Sequence, residues 1–487
     1  MRIPLDHEGP TPLYQQIENY LRQGIISGVL AAQTRLPATR QLARALGVNR
    51  ITVETAYANL EAEGLIYSRV GSGTFVMPQA PLPALPVEED EVTWPLWQQE
   101  IQAGRSKSRR LAIEEMLRAA GHPQPINFAG GIGDPHLFPS DDYRKVIQKV
   151  LRRDGIQAFD YGDRSGYAPL RETIAQVLAS QGFRARPENI LITAGSQQAL
   201  ALVSQLLLKP GEAVLVEEPT YAGALDLFYT MGLKILGAPV DERGMQVEKI
   251  ERLLQRYHPR LIYTIPNFHN PTGTCLSLPR RHQLLALADR YNIPILEDDF
   301  VGDLRYEGRA QPALKSLDPG GRVIYVSTFS KMVMPGLRVG FLAAEGPVYQ
   351  GLVNYKRVSD LATSSLHQRA LEMYVTVGRY QAHLRRSCQV YRKRRDAMLA
   401  AIDRHLPADV RVDPPQGGFF IWLKLPAGVS AERLLPAACA EGVAFSPGGS
   451  FFLDESAGDD HLRLNFAAHA PETIEEGIRR LARALRR

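Results

Sequence analysis

Residues 326–331 read Val326-Ser327-Thr328-Phe329-Ser330-Lys331. They continue an apolar run, Arg322–Val326, which has the composition of a buried β-strand, and they end on a lysine that follows hydroxyl side chains. Arg338 lies seven residues after this lysine. A lysine in this setting suits an amine that forms a Schiff base with pyridoxal phosphate (PLP), and the arginine suits an anchor for a phosphate group.

Five other apolar runs predict further strands of the same sheet. They are almost continuously apolar, which is typical of a mostly parallel sheet that is buried on both faces. Ligands of such sheets bind at the carboxyl ends of the strands, so the polar residues that follow the runs are candidate site residues. The runs are Asn189–Thr193, Ala213–Val216, Leu261–Ile265, Pro294–Leu296 and Val339–Leu342.

After these runs the chain carries each group that PLP requires. The cofactor needs a lysine, a carboxylate for its ring nitrogen, a donor to its phenolate oxygen, an aromatic ring and a phosphate cradle. Ser196 opens a helix whose amides suit a phosphate, and Tyr221 suits a ring stacked on the pyridine. Asn270 lies in an extended turn that suits the donor, and three adjacent acids, Glu297–Asp299, lie beyond a buried strand. Taken singly, Gly-Ser also caps helices and a tyrosine also packs as an ordinary core residue.

Composition and spacing exclude several other classes of protein. The 487 residues are 45% hydrophobic and 22% charged, which is ordinary for soluble globular protein. The three cysteines lie far apart and make no metal-ligand pattern, so we expect reduced thiols and no metal site. No signal segment opens the sequence and no apolar run approaches about 18 residues, so we expect a cytoplasmic protein without a membrane partner. The glycines of Gly130–Gly133 precede Asp134-Pro135 rather than a helix, which argues against a dinucleotide site.

The first 77 residues contain a local excess of basic side chains. No acidic residue lies between Glu18 and Glu54, whereas five arginines do. A short helix ends at Gly47, and Asn49 caps a second helix over about Arg50–Glu63, a pattern that predicts a helix-turn-helix. By charge alone the arginines equally fit the solvated face of a helical bundle, because nearby glutamates almost balance them.

The residues after the turn suit contact with DNA. The second helix leaves Arg50, Thr52 and Thr55 free to face a major groove. Residues Leu65–Val76 alternate around glycines and predict a β-hairpin, which is a candidate wing. Double-stranded DNA is therefore the expected partner of this part of the chain.

A proline-rich spacer separates two domains. Residues 78–86 contain four prolines in nine residues, which predicts an extended, semi-rigid linker. We therefore divide the chain into a DNA-binding domain at 1–77, a linker at 78–122 and a second domain at 123–487. A smaller carboxy-terminal subdomain covers about 365–487. Residues 94–122 have helical character, and docking between domains and a solvated helix are equally good interpretations of them.

Longer motifs resemble known families. The segments "PLYQQIENYLRQGIISG" at 12–28, "LPATRQLARALGVNRITVETAYANLEAEG" at 36–64 and "GSGTFV" at 71–76 resemble the winged-helix domain of GntR-type regulators. Residues from about Asn127 to Ala468 resemble a fold type I aminotransferase, and the whole chain is similar to the MocR subfamily of GntR regulators. The resemblance implies an α/β protein with an N-terminal winged helix-turn-helix and PLP-dependent, aminotransferase-like large and small domains.

The resemblance implies a role for each residue of the cofactor site. Lys331 would be the Schiff-base lysine, Asp298 would pair with the pyridine nitrogen, and Asn270 would donate to the phenolate oxygen. Tyr221 would stack on the ring, and Arg463 would hold a substrate's α-carboxylate as a bidentate donor. The phosphate would be bound by Ser196, Gln197, Thr328, Ser330 and Arg338.

It also implies contacts beyond one cofactor site. Tyr161 matches the tyrosine that dimers of this fold lend to the neighbouring subunit's phosphate, so we expect a homodimer. Arg40 and Arg50 would contact bases or phosphates, because arginine binds a guanine edge bidentately. Thr52 would assist at the recognition helix, and Gly71 would let the wing approach the minor groove.

Two departures from the family pattern bear on function. Relatives carry a tyrosine two or three residues after the aspartate, where this chain has Phe300 and Val301. One donor to the phenolate oxygen is therefore missing, which places efficient transamination in doubt. Members that sense γ-aminobutyrate carry an arginine two residues past the stacking tyrosine, where this chain has Gly223, so that effector is disfavoured.

Two functions follow as expectations. The first is a transcription regulator that senses PLP, or an amino compound bound to PLP, through its aminotransferase-like domain. The second is a working aminotransferase for 2-amino acids, of aminoadipate or aromatic type, with an accessory DNA-binding domain. The complete recognition region favours the first function, while the intact lysine, aspartate and carboxylate-binding arginine keep the second open.

Overall fold

The structure of the chain is a computed structural model, which describes residues 3–6, 9, 11–26, 29–69, 72–78, 95 and 109–486. The chain divides into two compact units, residues 1–105 and 106–487. Gly71 lies outside the described residues, as does the predicted linker from residue 79 to residue 94.

The first unit is a helix-turn-helix followed by a hairpin, as its sequence predicts. Gly47 ends the second helix in the left-handed conformation, with φ of 67°. The Asn49 side chain caps the third helix by accepting a hydrogen bond of 3.0 Å from the Ile51 amide. Buried aliphatic side chains, Leu21 and Leu60 among them, form the core of this unit. Its elements are α1 (Leu13–Ile26), α2 (Thr39–Leu46), α3 (Arg50–Ala62), β1 (Ile66–Arg69) and β2 (Gly73–Val76).

The second unit alternates strands and helices. Its strands are β3 (Ile126–Asn127), β4 (Ile190–Thr193), β5 (Ala213–Glu218), β6 (Lys234–Asp241), β7 (Gly244–Met245), β8 (Leu261–Thr264), β9 (Ile295–Asp298), β10 (Val323–Thr328), β11 (Gly340–Ala343), β12 (Arg411–Val412), β13 (Phe420–Lys424), β14 (Val443–Ala444), β15 (Ser446–Pro447) and β16 (His461–Asn465). Its helices are α4 (Arg109–Ala119), α5 (Ser140–Asp154), α6 (Ala168–Ser180), α7 (Ser196–Leu207), α8 (Ala222–Thr230), α9 (Glu251–Tyr257), α10 (Leu278–Arg290), α11 (Leu314–Leu317), α12 (Pro347–Asp360), α13 (Ser365–Thr376), α14 (Arg379–His405), α15 (Ala431–Ala440) and α16 (Pro471–Leu485).

An eight-stranded sheet forms the centre of this unit, in the order β4-β11-β10-β9-β8-β5-β6-β7. The pairs that join β6, β5, β8, β9 and β10 are all parallel, whereas β11 runs antiparallel between β4 and β10. The mostly parallel, buried sheet predicted from the apolar runs is therefore confirmed. The runs did not reveal β6, because this strand lies near the sheet edge and mixes exposed and buried positions around Pro239.

The carboxy-terminal part adds a four-stranded antiparallel sheet in the order β12-β13-β16-β15. Strand β3 pairs in parallel with β14, so that Ile126 lies opposite Val443. The residues at the start of the second unit therefore pack with its carboxy-terminal part.

Helix α4 belongs to the core of the second unit. Ile113 and Leu117 are buried in the main hydrophobic cluster, and the helix packs against α15 and β14. This part of the 94–122 segment is therefore not a solvated helix. Within the described residues no helix has the length and apolar character needed to cross a membrane.

Candidate functional site

Lys331 lies just after β10, at the carboxyl edge of the parallel strands. Its Nζ donates a hydrogen bond of 2.8 Å to the Gly131 carbonyl oxygen. The lysine lines a cavity of about 420 Å³ together with residues from other strand ends and from the carboxy-terminal part. Those predicted site residues that line the same cavity are Ser196, Tyr221, Asn270, Asp298 and Arg463. The structure thus brings together groups that are more than 260 residues apart in the sequence.

Asp298 is the last residue of β9 and is buried. The Tyr263 hydroxyl on the neighbouring parallel strand β8 donates a hydrogen bond of 2.9 Å to its Oδ2. The other oxygen, Oδ1, is buried and has no hydrogen-bond partner among the described residues. Burial raises the pKa of this carboxyl to about 7. A carboxylate with one oxygen held and one open suits a protonated ring nitrogen, whose positive charge would restore its ionised form.

Tyr263 was missed by the sequence interpretation. Its position inside the apolar run Leu261–Ile265 gave no sign that its hydroxyl meets Asp298, because that contact depends on the register between β8 and β9. The run did indicate that some polar partner exists, because a tyrosine hydroxyl that is buried in the middle of a strand requires one, but it did not indicate which residue.

The expectation about three acids beyond a strand needs correction. Glu297 and Asp298 lie inside β9, and of the three acids only Asp298 lines the cavity. Glu297 accepts hydrogen bonds of 2.8 and 2.9 Å from the amides of Leu314 and Lys315 at the start of α11. Asp299 accepts a hydrogen bond from the Tyr325 hydroxyl at 2.8 Å. Glu297 and Asp299, which flank Asp298, therefore stabilise the structure around the site.

A second cavity, of about 490 Å³, shares Lys331 and contains the predicted phosphate ligands Ser196, Gln197, Thr328, Ser330 and Arg338. The amino end of α7 begins at Ser196, where free amides attract an anion. The Ser330 hydroxyl is buried without a partner among the described residues, so it is available to a ligand. Arg338 donates to the Ala194 carbonyl at 2.9 Å, and a Cβ on Gly195 would lie only 2.9 Å from the arginine Nη2. Glycine at 195 thus lets the guanidinium approach the start of the helix.

A hydrogen bond joins the side chains of Gln197 and Tyr221. The tyrosine hydroxyl donates to Gln197 Oε1 at 3.3 Å, and Gln197 Nε2 donates to the Gly223 carbonyl at 3.0 Å. Because both ends of this amide are engaged, the backbone N–H of Gln197 is its better group for a phosphate. A Cβ on Gly223 would lie 2.5 Å from the Tyr221 hydroxyl, so the observed position of the tyrosine side chain leaves no room for a larger residue at 223.

Arg463 on β16 is a buried cation. Its Nη1 donates to Asn270 Oδ1 at 2.8 Å and its Nη2 to the Ala129 carbonyl at 2.9 Å, while the guanidinium lies 4.2 Å from the Phe420 ring centre. Burial lowers the pKa of this guanidinium to about 10. No acidic side chain of the described residues forms an ion pair with it, which suits a site for a ligand's carboxylate. The bond to Asn270 uses the amide oxygen and leaves the amide nitrogen as the donor.

Two further residues that the sequence analysis singled out differ in their position relative to this cluster. Phe300 is buried and lines the cavity, where it contributes no donor beside Asn270. Tyr161 is 83% exposed and lines neither cavity within one chain. Its matched role requires the site of a second subunit.

Two of the predicted DNA contacts, Arg40 and Arg50, are exposed side chains of the first unit. Arg40 is exposed on α2, and Arg50 begins α3 with its Nε 2.6 Å from Glu54 Oε1. Thr52 is half-buried, and Gly71 lies outside the described residues. Ile51, which the sequence interpretation did not single out, is 67% exposed at the start of α3. An exposed aliphatic side chain there suits contact with a thymine methyl group.

Comparisons with known proteins agree with both units. The family described as "Bacterial regulatory proteins, gntR family" matches residues 13–76, and "Aminotransferase class I and II" matches residues 126–481. The uncharacterized HTH-type transcriptional regulator YdfD of Bacillus subtilis is 31% identical over 96% of this chain and 95% of its own. The probable rhizopine catabolism regulatory protein MocR of Rhizobium meliloti is 33% identical over 99% of this chain and 95% of its own.

A solved structure resembles the second unit alone. It is LysN, the α-aminoadipate aminotransferase of Thermus thermophilus, complexed with N-(5'-phosphopyridoxyl)-L-leucine. It is 39% identical, has a TM-score of 0.72, and covers 80% of this chain and 98% of its own. The open carboxylate oxygen, the buried hydroxyl and the helix terminus described above fit a phosphopyridoxyl group. Over nearly its whole length, the chain therefore belongs to the MocR subfamily of GntR-type regulators, with a class I and II aminotransferase domain that binds PLP.

Proposed function

We propose that this chain is a cytoplasmic transcription regulator that binds operator DNA through residues 1–77 and senses PLP, or an amino compound, through the second unit, residues 106–487. The observation that carries this function is the presence in one chain of a complete helix-turn-helix with hairpin and a cavity that gathers Lys331, Asp298 and Arg463. An enzyme needs only the second of these, whereas a ligand-responsive regulator needs both.

In this proposal the cofactor is held at both ends. Asp298 receives the ring nitrogen at its open Oδ1, and Ser330, Arg338 and the amino end of α7 bind the phosphate. Bound PLP supplies a carbonyl carbon that condenses with an amine, and Lys331 is the amine of this chain placed to do so. Lys331 gives up its bond to the Gly131 carbonyl when its nitrogen is used in this way.

An amino compound would be oriented by Arg463. The guanidinium is buried and lacks an ion pair within the described residues, so a carboxylate that enters the cavity gains a strong, charge-assisted contact. The Asn270 and Ala129 oxygens already fix its plane, which limits the side-chain entropy lost on binding.

We propose further that the regulator is a homodimer. Tyr161 is 83% exposed, and Ile156 and Phe159 close by in the sequence are 85% and 70% exposed. Three large exposed side chains in six residues suit a surface that a second copy covers. A partner subunit would then receive Tyr161 at its phosphate site, as the matched role requires.

A second candidate function is transamination of a 2-amino acid. The retained Lys331, Asp298 and Arg463 favour it, as does the likeness to an α-aminoadipate aminotransferase. Phe300 weighs against it, because it offers no hydrogen bond where relatives carry a tyrosine, and Asn270 is then the one predicted donor to the phenolate oxygen among the described residues that line the cavity.

A gel-shift assay on the chain's own upstream DNA, beside single-turnover spectra with a panel of amino acids, separates the two functions. The regulator should shift this DNA with a strong dependence on salt, since phosphate contacts dominate such binding. Rapid turnover of an amino acid without any shift of the DNA would instead establish the aminotransferase.

A further inference from the structure

Helix α4 contributes two side chains to the wall of the cofactor cavity. Ile113 is buried there, and Glu114 is half-buried beside it. The helix is held in place by Ile113 and Leu117, which are packed in the core of the second unit. The packed helix therefore fixes the backbone of Glu114 in the cavity wall.

Among the described residues, four charged side chains line this cavity, and three of them already have tasks in the proposed function. Asp298 faces the ring nitrogen, Lys331 is the amine that joins the cofactor, and Arg463 takes an α-carboxylate. Glu114 is the fourth, and in this arrangement it faces the side chain of the bound amino acid.

The rest of the wall suits a hydrocarbon stem. Ile113, Ile132, Phe300 and Phe451 line the cavity and offer apolar surface to methylene groups. A side chain that is apolar along its length and positively charged at its end matches such a wall followed by a carboxylate.

We propose that the amino compound recognised by this cavity is a basic 2-amino acid, whose side-chain cation pairs with Glu114. This inference rests on the proposed function and narrows its ligand to a chemical class. Glu114 has another interaction within the chain, and the two oxygens of its carboxylate accept more than one hydrogen bond, so that a ligand's cation can be a further partner. An acidic side chain would instead meet a like charge in a partly desolvated cavity and would be rejected.

The test is calorimetric titration of the PLP-loaded full-length chain with three amino acids of similar length. L-Lysine carries the cation, L-norleucine has the same stem without it, and L-2-aminoadipate carries an anion. We expect lysine to bind about tenfold more tightly than norleucine, as a partly buried charged pair provides, and aminoadipate to bind least.

Substitutions at Glu114 and at the neighbouring Glu115 test whether the preference for lysine depends on Glu114. In Glu114→Gln the preference for lysine over norleucine should fall to about twofold or less, and Glu114→Lys should favour aminoadipate. Glu115→Gln is the matched control, because Glu115 is the next residue of the same helix, is exposed and does not line the cavity. The PLP absorbance of each variant checks that the site is intact.

The outcomes separate this inference from the proposed function. If amino acids bind without a preference for the cation, or if Glu114→Gln keeps the wild-type preference, the inference is wrong and the sensing of amino compounds stands. If no amino acid binds to the PLP-loaded protein, both the inference and amino-compound sensing are wrong.

Discussion

At the residue scale, the cofactor site is defined by polar groups that the chain leaves open. Asp298 Oδ1 and the Ser330 hydroxyl are buried without partners among the described residues, although an unsatisfied buried polar group costs about 1–3 kcal/mol. In the proposed function, Asp298 Oδ1 accepts a hydrogen bond from the ring nitrogen of PLP and the Ser330 hydroxyl donates one to its phosphate. Binding of PLP would therefore remove the unfavourable free energy of these two unsatisfied polar groups.

Lys331→Ala should abolish covalent attachment of PLP while it leaves weak binding through Arg338 and the amino end of α7. Borohydride treatment followed by peptide mass spectrometry checks this, with modification at residue 331 expected in the wild-type protein only. Lys149→Ala, which removes an exposed lysine on α5, is the control. A fixed adduct of unchanged yield in Lys331→Ala would disprove the role of this lysine.

Asp298 should make the stability of the cofactor-free protein depend on pH. Burial raises its pKa to about 7, whereas an unfolded chain titrates near 3.9. Between these values the folded state binds a proton that the unfolded state has lost, so stability falls as pH rises, by up to about 1.4 kcal/mol per pH unit. Asp298→Asn should remove this contribution, which thermal unfolding of both proteins from pH 5 to 8 measures.

Glu297 also has its pKa raised to about 7 by burial, so the wild-type curve contains more than one group. It is present in both proteins of this comparison, and the difference between their curves isolates Asp298. Identical pH dependence in the two proteins would mean that the aspartate stays ionised in the cofactor-free fold.

At the element scale, α2 and α3 present the residues that we assign to DNA. Arg50 pairs with Glu54 across a distance of 2.6 Å, but both side chains are well exposed, at 48% and 40%. Exposed pairs of this spacing contribute only about 0.3–0.5 kcal/mol, so the arginine exchanges its partner for DNA at little cost. Arg40 has no such competitor among the ion pairs of the described residues.

Arg40→Ala should weaken binding to the upstream DNA by roughly 1–3 kcal/mol if the lost contact is to a base, without a change in PLP absorbance. Fluorescence anisotropy with a labelled duplex at fixed salt measures this loss. Arg144→Ala, on α5 of the second unit, serves as the control for a change of net charge. Full affinity in both Arg40→Ala and Arg50→Ala would show that another surface binds the DNA.

Elements that neighbouring residues determine could be predicted from the sequence, whereas elements that depend on contacts with distant parts of the chain could not. The turn at Gly47, the cap at Asn49 and the strand before Lys331 each follow from neighbouring residues. Strand β6 was not predicted, because it lies near the sheet edge and mixes exposed and buried positions, so that it has no continuous apolar run. The position of α4 in the cavity wall could not be predicted from the sequence, because it results from contacts with β14 and α15, more than 300 residues away.

At the scale of the whole molecule, we expect a homodimer that depends on the exposed segment Ile156–Tyr161. Phe159→Asp combined with Ile156→Asp should give a monomer with weakened PLP binding, because each phosphate site would lose the partner's tyrosine. Analytical ultracentrifugation and PLP absorbance measure the two effects. Val29→Asp, at an apolar residue that is 81% exposed in the other unit, is the control. A wild-type chain that is a stable, PLP-loaded monomer would contradict this assembly.

A dimer with two DNA-binding units suggests how a ligand acts on gene control. A semi-rigid linker, as predicted at residues 78–86, would restrict where each DNA-binding unit reaches, and α4 is the first described helix after those residues. Since α4 lines the cavity through Ile113 and Glu114, a ligand in the cavity contacts the first described helix that follows the linker.

The most direct test of this account is the affinity of the wild-type protein for its upstream DNA, measured at constant salt with and without PLP and with each amino acid of a panel. The account predicts that at least one ligand changes the affinity several-fold, and that the DNA changes the affinity for that ligand by the same factor, because coupling between two sites is reciprocal. An affinity for DNA that is identical under every condition would contradict sensing and leave the aminotransferase as the function of the second unit.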